Sequence, residues 1–363
     1  MTSDWVISRM EAIFEDQVDA MERCEDDGKL AICMRIRPRN SVVPAPFQGE
    51  HDAEPASGEA SVRMRTIRFP GKSTPEAWKY TVITRILELI HEALISGVAI
   101  TKRDIYYRQP DLFVTQSVVD RCVDDLAFTF GVPRSLLNVS AAAKGLVLGN
   151  FTIVRADGAA MNGLSEKEGV LVPNIVPTDT LNLRSVEFVL VVEKEATFRT
   201  LASSNLKDSG ILLTAKGYPD IATRSFLRTI STTNSTLPLF ALVDFDPDGL
   251  AILSTYTHGS ASLAHENAAL SVPSIQWLGI KSQDVSALEG VHARQGLLKL
   301  TKRDRGLAQR MLGNEVFGEG GLEGEWRNEL LVMLMLGVKA EIQILEAREG
   351  GVVEWVKKRL GLV

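Results

Sequence analysis

Cysteine is scarce in this 363-residue chain, and the three present (Cys24, Cys33 and Cys122) stand far apart with no CxxC pair. That spacing indicates neither a disulfide framework nor a zinc site. Long apolar runs are also missing. Although 45% of the residues are hydrophobic, no run approaches the roughly 18 needed for a membrane span. Residues 1–17 carry acids among their apolar positions and lack the core of a signal peptide. No GxxxxGK[ST] occurs, so no P-loop nucleotide site is expected. These absences predict an intracellular protein without a membrane partner.

Charge is unevenly distributed. The net value is −6, yet residues 1–60 alone hold 13 acids against 6 bases. Residues 61–150 reverse the balance with 12 bases and 8 acids, including Arg63, Arg65, Arg68, Lys102, Arg103 and Arg108. A moderately basic middle segment permits contacts with phosphates. The length suits about two domains with an extension.

Taken in order, residues 2–33 place Val6, Met10, Ile13 and Phe14 at helical spacing, with Gly28 as the stop. The acid-rich helix so predicted is either solvated or a docking helix for a partner subunit. Residues 38–62 are rich in Pro, Ala, Ser and Gly and read as a flexible linker. Ser73-Thr74-Pro75-Glu76 starts a helix with Trp78, Val82, Ile83, Ile86, Leu87 and Ile90 on its apolar face and Gly97 past its end. A second helix starts at Thr101, with Asp104 three places on as a capping-box variant. A third runs from Thr115-Gln116 to Gly131. Residues 137–155 then read as two short strands around a Lys144-Gly145 turn. Three helices and a hairpin follow the order of a winged-helix domain, an order that many small α+β domains share.

From about residue 185 the pattern becomes α/β. Residues 188–192 and 239–243 are continuous apolar runs, as buried parallel strands require, and they end on Glu193 and Asp244. Residues 274–280 are a third candidate strand, and helices are predicted at 196–201 and 250–256. Such alternation implies a doubly wound sheet, whose ligands gather at the carboxyl ends of its strands.

Two groups of residues could carry chemistry. Arg103 and Tyr107 are four apart, on one face of the second helix. A guanidinium beside a phenol can hold a phosphate and lower the cost of ionising a group whose ordinary pKa is about 10. The plainer alternative is a short amphipathic helix that packs both tyrosines. In the second group, Asp244, Asp246 and Asp248 alternate on leaving a strand, with Pro247 and Gly249 forcing a turn. Like charges there repel unless a cation neutralises them, and Mg2+ suits a few carboxylates plus waters. A solvated acidic turn is the alternative, and Glu193 at the end of another strand weighs against it.

Residues 103–107 (RDIYY), 192–196 (VEKEA), 216–220 (KGYPD) and 244–247 (DFDP), with 140–146 (SAAAKGL) and 272–279 (VPSIQWLG), together resemble the A subunit of topoisomerase VI and its eukaryotic relative, the meiotic transesterase that breaks DNA to initiate recombination. The resemblance runs from about 76 to about 345. It implies a winged-helix (CAP-like) DNA-binding domain over 73–175 and a Toprim α/β domain with C-terminal helices over 176–363, and the acidic extension and linker read from composition then occupy 1–72. It also implies Tyr107, the second tyrosine, as nucleophile, Arg103 as its helper at the scissile phosphate, and Glu193, Asp244 and Asp246 as Mg2+ ligands. Lys144, on the wing, and Lys216 and Arg224 are implied DNA contacts. Asp248 departs from the pattern and is expected to face solvent.

The implied reaction is attack of the Tyr107 oxygen on DNA phosphorus, leaving a 5′-phosphotyrosyl link without ATP consumption by this chain. Cleavage of both strands of double-stranded DNA implies a homodimer, with accessory meiotic proteins and a B-type (GHKL-like) subunit as partners in the nucleus, on chromosomes. The Lys102–Tyr107 form and the acidic extension favour the meiotic enzyme over a topoisomerase VI A subunit that relaxes or decatenates DNA, or a non-cleaving scaffold of the same fold. Residues 325–346 are predicted as one long apolar helix, packed in the core. Lys357-Lys358-Arg359 is too short to read as a nuclear signal.

Overall fold

The computed structural model describes residues 2–22, 30–36, 63–140, 143–260, 266–286 and 296–362. The chain divides into two compact units, Met1–Ala142 and Ala143–Val363.

In the first unit, α1 (Ser3–Glu22) buries Val6 and Met10. It is shorter than the sequence suggested, because residues from Leu30 form a strand. β1 (Leu30–Arg35) pairs antiparallel with β2 (Met64–Phe69). Ile32 and Met34 are buried between exposed neighbours, and this period of two is what a half-covered strand shows. Gly28 and the linker at 38–62 lie outside the described residues. α2 (Thr74–Ser96) follows, with proline in its first turn and Gly97 ending it at φ 67, in the left-handed region. Next come β3 (Ile100–Thr101), α3 (Lys102–Arg108), α4 (Pro110–Phe113), α5 (Gln116–Phe130) and β4 (Val139–Ser140). One apolar core joins these elements, including Ile83, Ile86, Leu87 and Ile90 of α2, Ile105 of α3 and Val119 and Val123 of α5.

The hairpin expected around Lys144-Gly145 is not formed. β4 pairs in parallel with β3, whereas β5 (Leu146–Gly149) belongs to the large sheet of the second unit. Every position of β5 is buried, which suits a strand covered on both faces rather than a wing.

The second unit continues through β6 (Thr152–Val154), β7 (Ala160–Asn162), β8 (Val170–Leu171) and β9 (Thr180–Asn182) to β10 (Phe188–Val192), α6 (Glu195–Ala202), α7 (Leu206–Ser209) and β11 (Gly210–Thr214). Then follow α8 (Ile221–Thr233), β12 (Leu239–Leu242), α9 (Pro247–Thr257), α10 (Asn267–Leu270), β13 (Gln276–Gly279) and α11 (Ser282–Ser286). The large sheet has the order β13-β12-β10-β11-β5-β8. Its β10, β11, β12 and β13 run parallel, and β5 and β8 continue it antiparallel. β10 and β11 are buried throughout, so their near-continuous apolar sequence follows from helices on both faces. β6, β7 and β9 form a separate three-stranded sheet.

β14 (Leu297–Lys299), α12 (Lys302–Leu312), α13 (Gly324–Leu336), β15 (Val338–Ala340) and α14 (Gly351–Leu360) complete the unit. The long helix expected over 325–346 stops at Gly337, whose φ of 68 reverses the chain. Residues 338–340 then pair with β14. Trp326, Leu330 and Met333 are buried, whereas Leu331, Met335 and Leu336 are exposed, so only one face of α13 enters the core. Among the described residues no helix is long and apolar enough to cross a membrane.

Candidate active site

The first group of candidate residues lies on α3. Thr101 Oγ1 accepts from the Asp104 N–H at 3.0 Å, and Asp104 Oδ2 accepts from the Thr101 N–H at 3.0 Å. This reciprocal capping box satisfies donors that the helix start would otherwise leave open. The Thr101 bonds hold the Asp104 carboxyl below its ordinary range. Ile105 is fully buried and Tyr106 packs half-buried on the core. Tyr107 is 67% exposed, its ring 5.4 Å from that of Tyr106. Arg103 is exposed on the same face. Among the described residues, neither its guanidinium nor the Tyr107 hydroxyl has a hydrogen-bond partner. The other two cations of the helix are engaged, with Lys102 on Asp124 at 2.6 Å and Arg108 on Glu92 at 3.0 Å.

The second group gathers at the carboxyl ends of β10 and β12. The Glu193 N–H donates to the Leu242 carbonyl at 3.0 Å, and Glu193 Oε2 accepts from the Asp244 N–H at 2.8 Å. Asp244 Oδ1 accepts from the Ile342 N–H at 2.8 Å. Asp246 caps α9, its Oδ1 accepting from the Gly249 N–H at 2.7 Å. A Cβ at position 249 would lie 2.5 Å from the Asp244 carbonyl oxygen, so only glycine lets this turn close. Burial drives the proton affinity of Glu193 and Asp244 upward, and for Glu193 the neighbouring Asp244 charge adds to it. Asp246, also desolvated, is pushed up to about 6.

All three donors are hard oxygens, the type Mg2+ takes, and desolvated like charges gain most from a cation. The chemistry of the set therefore fits the metal. Among the described residues, however, no three such side chains converge as a ready-made cage. Two lysines neutralise the acids instead. Lys194 Nζ lies 2.8 Å from Asp244 Oδ2, 3.2 Å from Glu341 Oε2 and 3.0 Å from Gln343 Oε1. Lys339 Nζ lies 3.0 Å from Asp304 and 3.8 Å from Asp246. Sequence reasoning assigned neither lysine a role. Lys194 belongs to the 192–196 motif, but its partners Glu341 and Gln343 are almost 150 residues away. Residues 338–342 reach the turn because the Phe245 and Ala340 backbones exchange hydrogen bonds of 2.8 and 3.0 Å.

The remaining sequence-predicted residues meet different fates. Lys144 is exposed, and its backbone N–H donates to Asp220 Oδ2 at 3.0 Å. Lys216 takes a φ of 57 beside Gly217, and its Nζ lies 3.1 Å from Glu195 Oε2. Arg224 is 1% exposed, with Nη2 3.3 Å from Asn267 Oδ1, so the buried side chain is not presented to DNA. Asp248 does not simply face solvent: Arg303 pairs with both its oxygens at 3.0 and 3.1 Å, and the Tyr218 hydroxyl donates to Oδ1 at 3.0 Å. Arg303 belongs to a second Thr-Lys-Arg-Asp segment, 301–304, which forms the same capping box on α12 as 101–104 does on α3.

Residues 188–356 match the family model of the Toprim domain shared by the topoisomerase 6 A subunit and Spo11, and residues 78–139 match that of type IIB DNA topoisomerase. The chain is 34% identical to meiotic recombination protein rec12 of Schizosaccharomyces pombe over 98% of its own length and 94% of the relative. It is 32% identical to meiotic recombination protein SPO11 of Homo sapiens over 95% of its length and 84% of the relative. With the A subunit of DNA topoisomerase 6 from Arabidopsis thaliana the identity is 36%, over 78% of this chain and 65% of that one.

Proposed function

This chain belongs to the family of Spo11 meiotic recombination proteins and topoisomerase 6 A subunits, and from that premise we propose that it makes the DNA double-strand breaks that initiate meiotic recombination. It is a topoisomerase-like transesterase of type IIB that acts on DNA. In this reading Tyr107 is the nucleophile. Its phenolic oxygen attacks a backbone phosphorus, the bond to the 3′ oxygen breaks, and that oxygen leaves as a 3′-hydroxyl. A 5′-phosphotyrosyl link conserves the phosphodiester, so the step is covalent catalysis without nucleotide consumption.

The observation that carries this reading is the pairing of an exposed Tyr107 with an exposed, unengaged Arg103 four residues before it. Arg103 holds the scissile phosphate and offsets charge on its oxygens as the phenol attacks. Tyr106 packs against the core and sets the ring beside it. Glu193, Asp244 and Asp246 would hold Mg2+. A cation held there would supply positive charge to offset that developing on the phosphate. The first unit is read as the winged-helix DNA-binding domain, built on α2, α3 and α5, with β1 and β2 beside the helices. Lys144 and Lys216 are proposed contacts to the DNA backbone. The active form is proposed to be a homodimer on a two-fold duplex site, acting on chromosomes in the nucleus with a B-type subunit.

The test is recovery of protein-linked DNA after denaturation, from the native host or with its partners present. A 5′-linked adduct that persists in Tyr106→Phe and vanishes in Tyr107→Phe supports the assignment. Tight DNA binding without any wild-type adduct would replace it with a non-cleaving role.

A further inference from the structure

α3 has only seven residues, far too few for a stable helix by itself. Its orientation must come from its neighbours. The capping box fixes where the helix starts, and the buried Ile105 sets its depth. The apolar packing of Ile105 and the half-buried Tyr106 turns one face of the helix to the core, and a directional contact on that face narrows its rotation about the axis further. That rotation decides whether Arg103 and Tyr107 face outward together.

Lys102 opens the helix, and its ammonium turns inward instead of toward solvent. Nζ lies 2.6 Å from Asp124 Oδ1 and 3.2 Å from the Asp120 carbonyl, both on α5. Arg134, just beyond α5, places Nε 3.3 Å from the same Asp124 oxygen. The three side chains are only 16%, 14% and 12% exposed. Burial lowers the proton affinity of Lys102, and Asp124 opposes that effect. Charge pairs removed from water this far add little net stability. What such a pair can define is geometry. At 3.6 residues per turn, Arg103 and Tyr107 project about 100° and about 140° around the axis from Lys102. Holding Lys102 against α5 therefore sets both exposed side chains at once.

We propose that Lys102 is a positioning residue for the tyrosine helix: clamped on Asp124 and the Asp120 carbonyl, it fixes the rotation of α3 that presents Arg103 and Tyr107 together. The proposal rests on Tyr107 as the nucleophile. It also assigns the first basic residue of Lys102-Arg103 to the protein interior, leaving the second for phosphate.

Lys102→Met tests this in the full chain with its partners. Methionine keeps most of the aliphatic length, and Asp124 retains Arg134, so no buried carboxylate is orphaned. Adduct yield per folded molecule should fall at least about tenfold, since misplacing reacting groups by about 1 Å can cost ~100-fold. Non-covalent DNA affinity should stay within about twofold, because Lys102 does not reach phosphate. Amide hydrogen exchange in residues 103–108 should accelerate about tenfold with α2 unchanged, the pattern of a local opening. Lys102→Arg should restore much of the yield, whereas Arg134→Met, which leaves both Lys102 bonds in place, should retain most of it.

Unchanged exchange in α3 overturns the proposal. So does an adduct loss that only tracks DNA affinity or the folded fraction, or an equal loss in Arg134→Met. A wild type that forms no adduct would overturn the nucleophile assignment, while the exchange measurement would still decide the clamp.

Discussion

Lys194 places its ammonium 2.8 Å from Asp244, so the residue after one candidate metal ligand neutralises another. Glu193 and Lys194 are consecutive at the end of β10, and both reach the end of β12, Glu193 through the Asp244 N–H and Lys194 through the carboxylate. The two strand ends are thus tied by one acid and one base.

Replacing Lys194 by Gln removes the cation beside a buried carboxylate. The expected cost is about 1–3 kcal/mol, the range for a desolvated polar group left without its partner. Because Asp244 then lacks a counter-charge, added Mg2+ should raise the melting temperature of this variant more than that of the wild type. Thermal melts with MgCl2 and with EDTA check this. Superimposable curves for the variant would argue against a divalent cation at these carboxylates.

Thr101→Ala should destabilise the protein by about 1 kcal/mol through loss of the helix cap, and should also lower adduct yield. Thr301→Ala, at the matching box on α12, should cost about as much without changing yield per folded molecule. The Asp104 carboxyl is held below its unfolded value by its bonds to Thr101. Its contribution is therefore present above about pH 4, the ordinary Asp value, and is lost as the pH falls through the lower folded value. Denaturation of wild type and Asp104→Asn should accordingly converge in acid. A gap that widens there would contradict the assignment.

Arg63, Arg65 and Arg68 are exposed on and beside β2, and none makes an ion pair among the described residues. If they meet the duplex backbone, replacing all three by Gln should weaken non-specific DNA binding. The slope of log K against log salt should then shrink by about 0.9 for each phosphate no longer neutralised. An unchanged slope in a fluorescence-anisotropy titration would remove the strand from the DNA-binding surface.

The two described thiols should differ sharply in reactivity. Cys33 is exposed, whereas Cys122 is buried and its thiol is pushed up to about 12 by desolvation. In a Cys24→Ser background, one thiol should react promptly with a disulfide reagent at pH 8 and the other only on unfolding. Prompt reaction of both would mean that α5 is not packed as described.

Local signals carried much of the second unit. β10 and β12 announced themselves as unbroken apolar runs ending on Glu193 and Asp244, because strands covered on both faces need nothing else. Helix starts at Ser73-Thr74-Pro75 and Thr101 were equally legible, since caps are set within four residues. β11 was missed although it lies at the centre of the sheet, its short run giving no flanking cue. β5 was misassigned to a hairpin because a buried strand at a sheet's antiparallel side and a wing strand look alike in sequence. The helix expected to reach 346 failed at Gly337, where a left-handed stop outweighed the apolar character of residues 338–346.

The sequence by itself determined the chemistry available: a tyrosine four places from an arginine, and acids where buried strands end. Those features depend on short-range spacing, and spacing is written in the chain. Only tertiary structure decided which charges are free to act. Asp248 was expected to face solvent and Arg224 to meet DNA, and nothing local marked Lys102 or Lys194 as anchored, yet each is held by a partner between 22 and about 150 positions away. Whether a charged side chain reaches outward or is neutralised within depends on what the fold brings opposite it, and no local pattern encodes that.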